Sequence, residues 1–467
     1  MIRQPPESLG LALRQIGPGL ILAGAIVGTG ELIATTNLGA KVGFALLWLV
    51  VLSCFIKVFV QIELGRHAIS SGESTFRSFH ALGGSGRLLV WWCLGMILVT
   101  QMQIGAMVGG VGQAIHMATP GVSEGLAKGL ASHYPSAASY LHARPELPWA
   151  VLAALATSAL LATGSYRLVE RGTTFLVVMF TLMTVLCVGF LPAEHAITAS
   201  DLTSGLTFRI PTGAYMAAFT MFGITGVGAT ELLAYPYWCT EKGYARYVGP
   251  RDQTEAWADR AKGWMRVMRL DAWVSMLVYT LATLSFYVLG ASVLHGQTRG
   301  QGLPDTVDRL MTVLARMYEP VMGPRLATWF IVLGAFSVLY STLFAATAGG
   351  GRLLADVLRV NRLIDPDRED LRLRWVRIFC VVLPMIGLAL YLGVRDPVKM
   401  VIVGGMMQAL TLPLIGAAAV FLRYRRTDRR LSPGLIWDGF LWISALGLVV
   451  AGAYTLWTTY AKVVGNS

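Results

Sequence analysis

Apolar stretches long enough to cross a bilayer recur along the whole chain, about eleven of them at roughly 20 residues each, and little sequence remains between them. Their centres fall at Ile26, Leu52, Val99, Ala156, Met179, Gly226, Thr280, Gly334, Pro384, Met406 and Gly447. Hydrocarbon offers backbone N–H and C=O groups no partner, so each stretch must satisfy its own bonds as a helix. The composition agrees: 55% hydrophobic residues, 14% charged and a mean hydropathy of +0.59, against a charged fraction of about 25% in soluble proteins. The expected fold class is an all-α polytopic membrane protein. The longest polar stretches, Met117 to Pro148, Thr240 to Leu270 and Gly349 to Arg374, leave room for amphipathic segments and no soluble domain.

Counting basic residues on alternate sides gives the orientation. With the N-terminus inside, about 26 of the 38 Lys and Arg face the cytoplasm and about 11 face out. The net charge of +12 then reflects clusters such as Arg423, Arg425, Arg426, Arg429 and Arg430 lying at anionic head groups. No nucleic-acid partner is needed to account for it. The segment Met1 to Gly17 lacks the basic-then-apolar profile of a signal peptide, so the first span is expected to stay. The expected location is a bacterial-type plasma membrane, with the C-terminus extracytoplasmic.

The five cysteines, Cys54, Cys93, Cys187, Cys239 and Cys380, are isolated in or beside apolar spans and indicate neither a disulfide framework nor a CxxC metal site. The seven histidines sit in loops or near helix ends.

Two glutamates stand inside the apolar spans, 200 positions apart, in near-copies of one motif: GTGEL at Gly28 to Leu32 and GATEL at Gly228 to Leu232. A carboxylate at membrane depth costs about 3 kcal/mol or more, so it marks function by default. The neighbouring glycines weaken each helix by about 1 kcal/mol apiece relative to Ala, and both spans should unwind near the midplane. Unwound backbone is tolerated there where it lines a cavity or meets an ion. Freed carbonyls and carboxylates are hard oxygen donors. The expected site is therefore a cation site made of Glu31 and Glu231, with Gly28, Thr29, Gly30, Gly228 and Thr230 around them. A purely structural use, pairing with Lys57 or capping a helix fragment, is the competing explanation. Gly109, Gly110 and Gly349 to Gly351 carry no adjacent acid and read as packing or turn positions.

The residues also carry a resemblance. GPGLILAGAIVGTGELIATTNLGAKVGFALLWLVVLSCFIKVFVQIELGRHAISSGEST resembles the first two spans of Nramp-type divalent-metal transporters. So do GSYRLVERGTTFLVVMF, YSTLFAATAGGGRLLAD and the stretch from Gln408 to Pro413 in later spans. The resemblance implies the leucine-transporter fold, two inverted repeats of five helices (about 15–192 and 211–422) plus one extra helix (about 435–460), with spans one and six broken. It also implies a divalent metal ion as transported substrate, no cofactor and no enzymatic activity.

The chain departs from that family at its metal site. Gly28, Thr29, Gly30 and Glu31 stand where the family carries DPGN. Gly228, Glu231, Leu232 and Leu233 stand where it carries Ala followed by Met, Pro and His. Trp238 replaces a second histidine, and the acids of the span-three proton route fall near Gln101 and Ile104. Two carboxylates without a thioether suit harder cations such as Mg²⁺, Mn²⁺ or Ca²⁺. Gln408 lies near a family amide ligand, although alignment on Pro413 puts Gly405 there. Gln101 and Lys57 are secondary candidates. Lys57 reads as a snorkelling side chain or partner of Glu63, or as counter-charge to the glutamate pair, and Asp271 as a carboxylate at the start of span seven.

Two other functions compete. A small organic cation could use the carboxylates with Tyr235, Tyr237 and Trp238 as aromatic faces, and a non-transporting membrane sensor could bind an ion without moving it. No HExxH or GxxxxGK motif is present, so movement of a substrate would run on gradients. The sequence leaves the oligomeric state open.

Overall fold

The computed structural model describes the whole chain except residues 1, 29, 164–165, 196, 299, 304–306, 395 and 466–467. Eight helices are by themselves long and apolar enough to cross a membrane, and two bent pairs bring the number to ten among the described residues. Span one is a bent pair, Pro18–Ile26 followed by a π-helical Gly30–Thr35 and by Thr36–Val42, with a 44° bend. Span two is Leu47–Ser71, span three Gly84–Ala118, span four Leu147–Ala162 and span five Tyr166–Gly189. Span six, the eleventh and outside that count of ten, is split into Tyr215–Ile224 and Ala229–Lys242. Span seven is Glu255–Leu289, span eight Glu319–Val360, span nine Glu369–Val394, span ten Pro397–Arg425 and span eleven Leu435–Gly465. All eleven centres read from the sequence fall on these spans or, for Gly226, in the break of span six.

Ordinary end signals set several boundaries. Thr254 accepts the Trp257 N–H at the start of span seven, and Asp396 accepts the Lys399 N–H at the start of span ten, as N-caps do. Gly72 ends span two in the left-handed conformation at φ 71°, a glycine stop. The glycines read as packing positions do pack. Gly109 lies against the Tyr391 ring, and Gly349 to Gly351 are helical and buried against spans six and nine.

The two broken spans run through the middle of the bundle. The first half of span one packs on spans five, seven and eight and on the second half of span six, while its π-helical part touches spans seven and ten. Span two packs on both halves of span six and on span seven. Span three forms the other wall, against spans eight, nine and ten.

Two sequence expectations change here. Asp271 does not open span seven, because the helix already begins at Glu255 and continues through the polar stretch before the apolar one. It serves a different helix instead. Its Oδ1 accepts the Gly17 N–H at 2.7 Å and its Oδ2 the Gly19 N–H at 2.6 Å, with the Tyr235 hydroxyl donating at 3.2 Å. The carboxylate thus caps the start of span one, where free N–H groups and the helix dipole favour negative charge. Glu63 pairs with Arg66 at 3.0 Å, one helical turn away, and accepts from the Trp437 indole at 3.3 Å. Lys57 is left for another partner.

The loops after spans six and ten are tied together by Asp428, which meets Arg251 at 2.8 Å and Arg430 at 3.0 Å. Hydrogen bonds from Arg430 hold its carboxyl down at about 2, aided by the charge of Arg251. A depressed carboxylate gives stability that is present above the unfolded value near 4 and is lost as pH falls toward 2. This tie therefore persists across the neutral range.

Candidate cation site

Both breaks begin and end alike. In span one the Val27 N–H still reaches Ala23 O at 2.9 Å, and the next helical bond resumes from Leu32 N to Gly28 O at 2.8 Å. In span six Thr225 N reaches Met221 O at 2.7 Å, and Leu232 N reaches Gly228 O at 2.9 Å. The resumed bonds lie 200 positions apart, as the glutamates do. Each glutamate sits in the first turn after its break, Glu31 in the π-helical segment and Glu231 in the helix that Gly228 caps. The end of a helix that carries free N–H groups is where an acid is electrostatically favoured.

Glu31 is fully buried. Its Oε1 accepts from the Gly226 N–H and from the Thr283 hydroxyl, both at 3.3 Å, so span one's carboxylate holds the break of span six. Gly226 adopts φ +68°, a left-handed backbone that favours glycine. The other oxygen, Glu31 Oε2, is buried with no hydrogen-bond partner among the described residues. Buried polar atoms are paired in the great majority of cases, so an orphaned carboxylate oxygen needs an explanation.

Glu231 lies within electrostatic reach of Glu31 and keeps part of its surface accessible. Its carboxylate folds over Gly228 beside the Gln408 amide, and a Cβ at Gly228 would collide with both. Only glycine lets these two oxygens close over the break. Gln408 Oε1 faces the Thr230 N–H at 3.4 Å, while its Nε2 donates to Gln103 Oε1 at 2.9 Å. The Thr225 and Thr230 hydroxyls are buried without partners among the described residues. Carboxylate, amide and hydroxyl oxygens thus surround the point where the two breaks meet.

The carbonyls released by unwinding sit one turn earlier than the glycines suggest. Gly28 O and Gly228 O each accept a helical bond, as above. The orphans are the last carbonyls of each first half, as helix ends require. In span one, Gly24 O and Val27 O both lie 3.0 Å from the Thr342 hydroxyl of span eight. In span six, Phe222 O and Thr225 O receive the ammonium of Lys57, the latter at 2.7 Å.

The remaining expected residues distribute as follows. Gly30 is buried in the π-helical segment, and Thr29 lies outside the described residues. Gln101 turns its Nε2 back to Ile97 O of its own helix at 3.1 Å. Gln103, two positions on and about 200° around the helix, is the residue that reaches Gln408. Sequence reasoning missed Gln103, Thr283 and Thr342. Their signal was polarity inside apolar spans, and polarity alone does not say which face a residue takes. The aromatic trio does not line the site: Tyr235 bonds Asp271, Tyr237 donates to Asp356 at 2.6 Å, and the Trp238 ring lies under Arg352 at 4.4 Å.

Those last contacts close the far end of span six. Asp356 of span eight also accepts from Ser74 at 2.6 Å, and Arg352 grips Glu241 through Nε and Nη2 at 2.7 and 2.8 Å. No group of three or more His, Cys, Asp or Glu is placed to hold a metal ion among the described residues. A metal held here would take two carboxylates and complete its shell with neutral oxygens. Replacing Gln408 by Ala should weaken divalent-cation binding about tenfold, equivalent to ~1.4 kcal/mol. Titration of Mn²⁺ into purified protein checks this, and unchanged affinity would remove Gln408 from the site.

Broken spans one and six around buried polar groups, within a bundle of this order, define a membrane transporter of the leucine-transporter fold. The chain matches the Nramp family, described as natural resistance-associated macrophage protein-like, over residues 19–458, and it belongs to that family. No curated protein matches it in sequence. Among solved structures it is similar to a histidine-to-alanine variant of the Eremococcus coleocola manganese transporter. The identity is 15% and the TM-score 0.66, covering 100% of this chain and 90% of that one. Mhp1, a nucleobase-cation-symport-1 family transporter in a closed conformation with bromovinylhydantoin bound, is 14% identical at a TM-score of 0.55, covering 95% and 93%. MhsT in complex with L-phenylalanine is 16% identical at 0.56, covering 97% and 100%. Likeness at such identities carries the fold.

Proposed function

We propose that this protein is a secondary transporter of a divalent metal cation, held between Glu31 and Glu231 and moved by alternating access. The observation that carries this reading is the fully buried Glu31 carboxylate with an orphaned oxygen, within electrostatic reach of a second carboxylate. Two like charges in a low-dielectric interior are costly unless a cation or a proton lies between them. Family membership and the likeness to a manganese transporter favour a metal as that cation. The oxygen-rich surroundings favour harder ions of the Mn²⁺ and Mg²⁺ kind over softer ones.

Release toward the far end of span six requires the Tyr237–Asp356, Ser74–Asp356 and Arg352–Glu241 contacts to part. By the basic-residue count that end is cytoplasmic, and we assign the protein to the cell membrane. Inverted repeats over about 15–192 and 211–422 account for the matched breaks, a known arrangement around midplane sites. Trp238 and Gln101 stand where the family has a histidine and an acid, so proton coupling, where it exists, does not run through those side chains. The organic-cation alternative loses the aromatic faces it relied on.

Influx into proteoliposomes tests the cargo. Saturable uptake of Mn²⁺ or Mg²⁺, with no uptake of methylammonium, is the expected result. Methylammonium uptake without any metal flux would replace the metal reading with the amine one.

A further inference from the structure

Lys57 sits in the middle of span two and is completely buried. Its ammonium donates to the carbonyls of Phe222 and Thr225 at the break of span six and lies 4.8 Å from the Phe222 ring centre. Ser53, one turn earlier, donates to Thr225 O at 2.9 Å, which fixes the same carbonyl from a second side. The charged and titratable groups facing Lys57 are Glu31, Glu231 and Cys54. It makes no ion pair within 4 Å among the described residues. A buried ammonium is therefore placed beside two carboxylates without being clamped to either.

We propose that Lys57 is the release group of the cation site, a tethered positive charge that keeps the two-carboxylate site from becoming a trap. This rests on the reading of Glu31 and Glu231 as the cation ligands. Two carboxylates and neutral oxygens in a low-dielectric interior would bind a divalent ion tightly. A transport site must also let its ion go, as conduction sites do. The ammonium repels the cargo from within the same cavity and lowers affinity in every conformation that keeps it near the glutamates. It also occupies Phe222 O and Thr225 O, and so withholds two hard ligands that unwinding would otherwise offer to the cargo. With the cargo absent, it sets one positive charge against the two carboxylates and holds the break of span six open.

The test separates charge from structure. Mn²⁺ affinity is measured by titration into the purified full chain, and Mn²⁺ flux is measured in proteoliposomes, for wild type and for Lys57→Met, Lys57→Gln and Lys57→Arg. Both neutral variants are expected to bind Mn²⁺ at least tenfold more tightly. Their maximal flux should fall at least tenfold, so that apparent KM and Vmax drop together. Lys57→Arg keeps the charge and is expected to bind within about threefold of wild type. A purely structural lysine would give weaker binding or none in all three variants, and that result overturns the proposal. So does unchanged affinity in the neutral pair. A wild type that binds no divalent cation would instead sink the metal reading itself.

Discussion

Replacing Glu31 or Glu231 by Gln is expected to cut divalent-cation affinity about 100- to 1,000-fold and to abolish flux at micromolar metal. Removing one member of a buried charge pair typically costs about 3–5 kcal/mol, and each 1.4 kcal/mol is about a factor of ten. The fold should survive. In Glu31→Gln the amide oxygen can still accept from Gly226 N and Thr283, the two bonds that Glu31 Oε1 makes now. What changes is the orphaned oxygen, which becomes an NH₂ group that repels a cation. Glu231 lies in the first turn of a helix at a partly open position, so the amide is easily accommodated there too. Metal titration and flux, run beside thermal unfolding, check both variants. Full flux with either glutamine would remove that carboxylate from the site.

The largest structural effect should come from Asp271→Ala. The wild-type carboxylate accepts two backbone N–H groups of span one, from Gly17 and Gly19, together with the Tyr235 hydroxyl. Alanine leaves all three buried donors without that acceptor, and each unsatisfied donor costs about 1–3 kcal/mol. A net loss of about 3 kcal/mol is expected, seen as a lower unfolding temperature in detergent. Asp271→Asn keeps one acceptor oxygen and should lose about half as much. Because the first half of span one carries Gly24 and Val27 to the break, its loosening should also weaken metal binding. Wild-type stability in Asp271→Ala would mean that other groups cap span one.

The architecture was legible because bilayer spanning imposes long apolar runs, and all eleven are plain in the sequence. The breaks were legible for a different reason: glycines that weaken a helix stand beside acids that lipid would reject. Which carbonyls the breaks release was not visible. The eye goes to the glycines, whereas a helix end orphans the last turn before it, which here means Phe222, Thr225, Gly24 and Val27. Of the readings open for Lys57, the pairing with Glu63 rested on proximity in sequence. Six residues apart, the two lie about 240° around the helix, while Glu63 and Arg66 share a face at i,i+3.

The polar residues of span three show the same limit. Gln101 and Gln103 are equally conspicuous among apolar neighbours, and only the packing of span three on span ten decides that Gln103 meets Gln408. Asp271 was placed by hydropathy at a helix start. The helix ignores that boundary, because Glu255 to Leu270 remain helical beyond the apolar stretch. The three aromatics after Glu231 looked available from sequence and are committed to Asp271, Asp356 and Arg352.

Glu31 and Glu231 are proposed to hold one divalent cation between them. Anomalous diffraction from crystals grown with Mn²⁺ tests it directly. A single anomalous peak between the two carboxylates, with Gln408 Oε1 at its edge, is expected, and it should disappear in Glu31→Gln. A peak bonded to other residues, or no peak at saturating Mn²⁺ in protein that binds it in solution, would rule out a cation held by these two carboxylates.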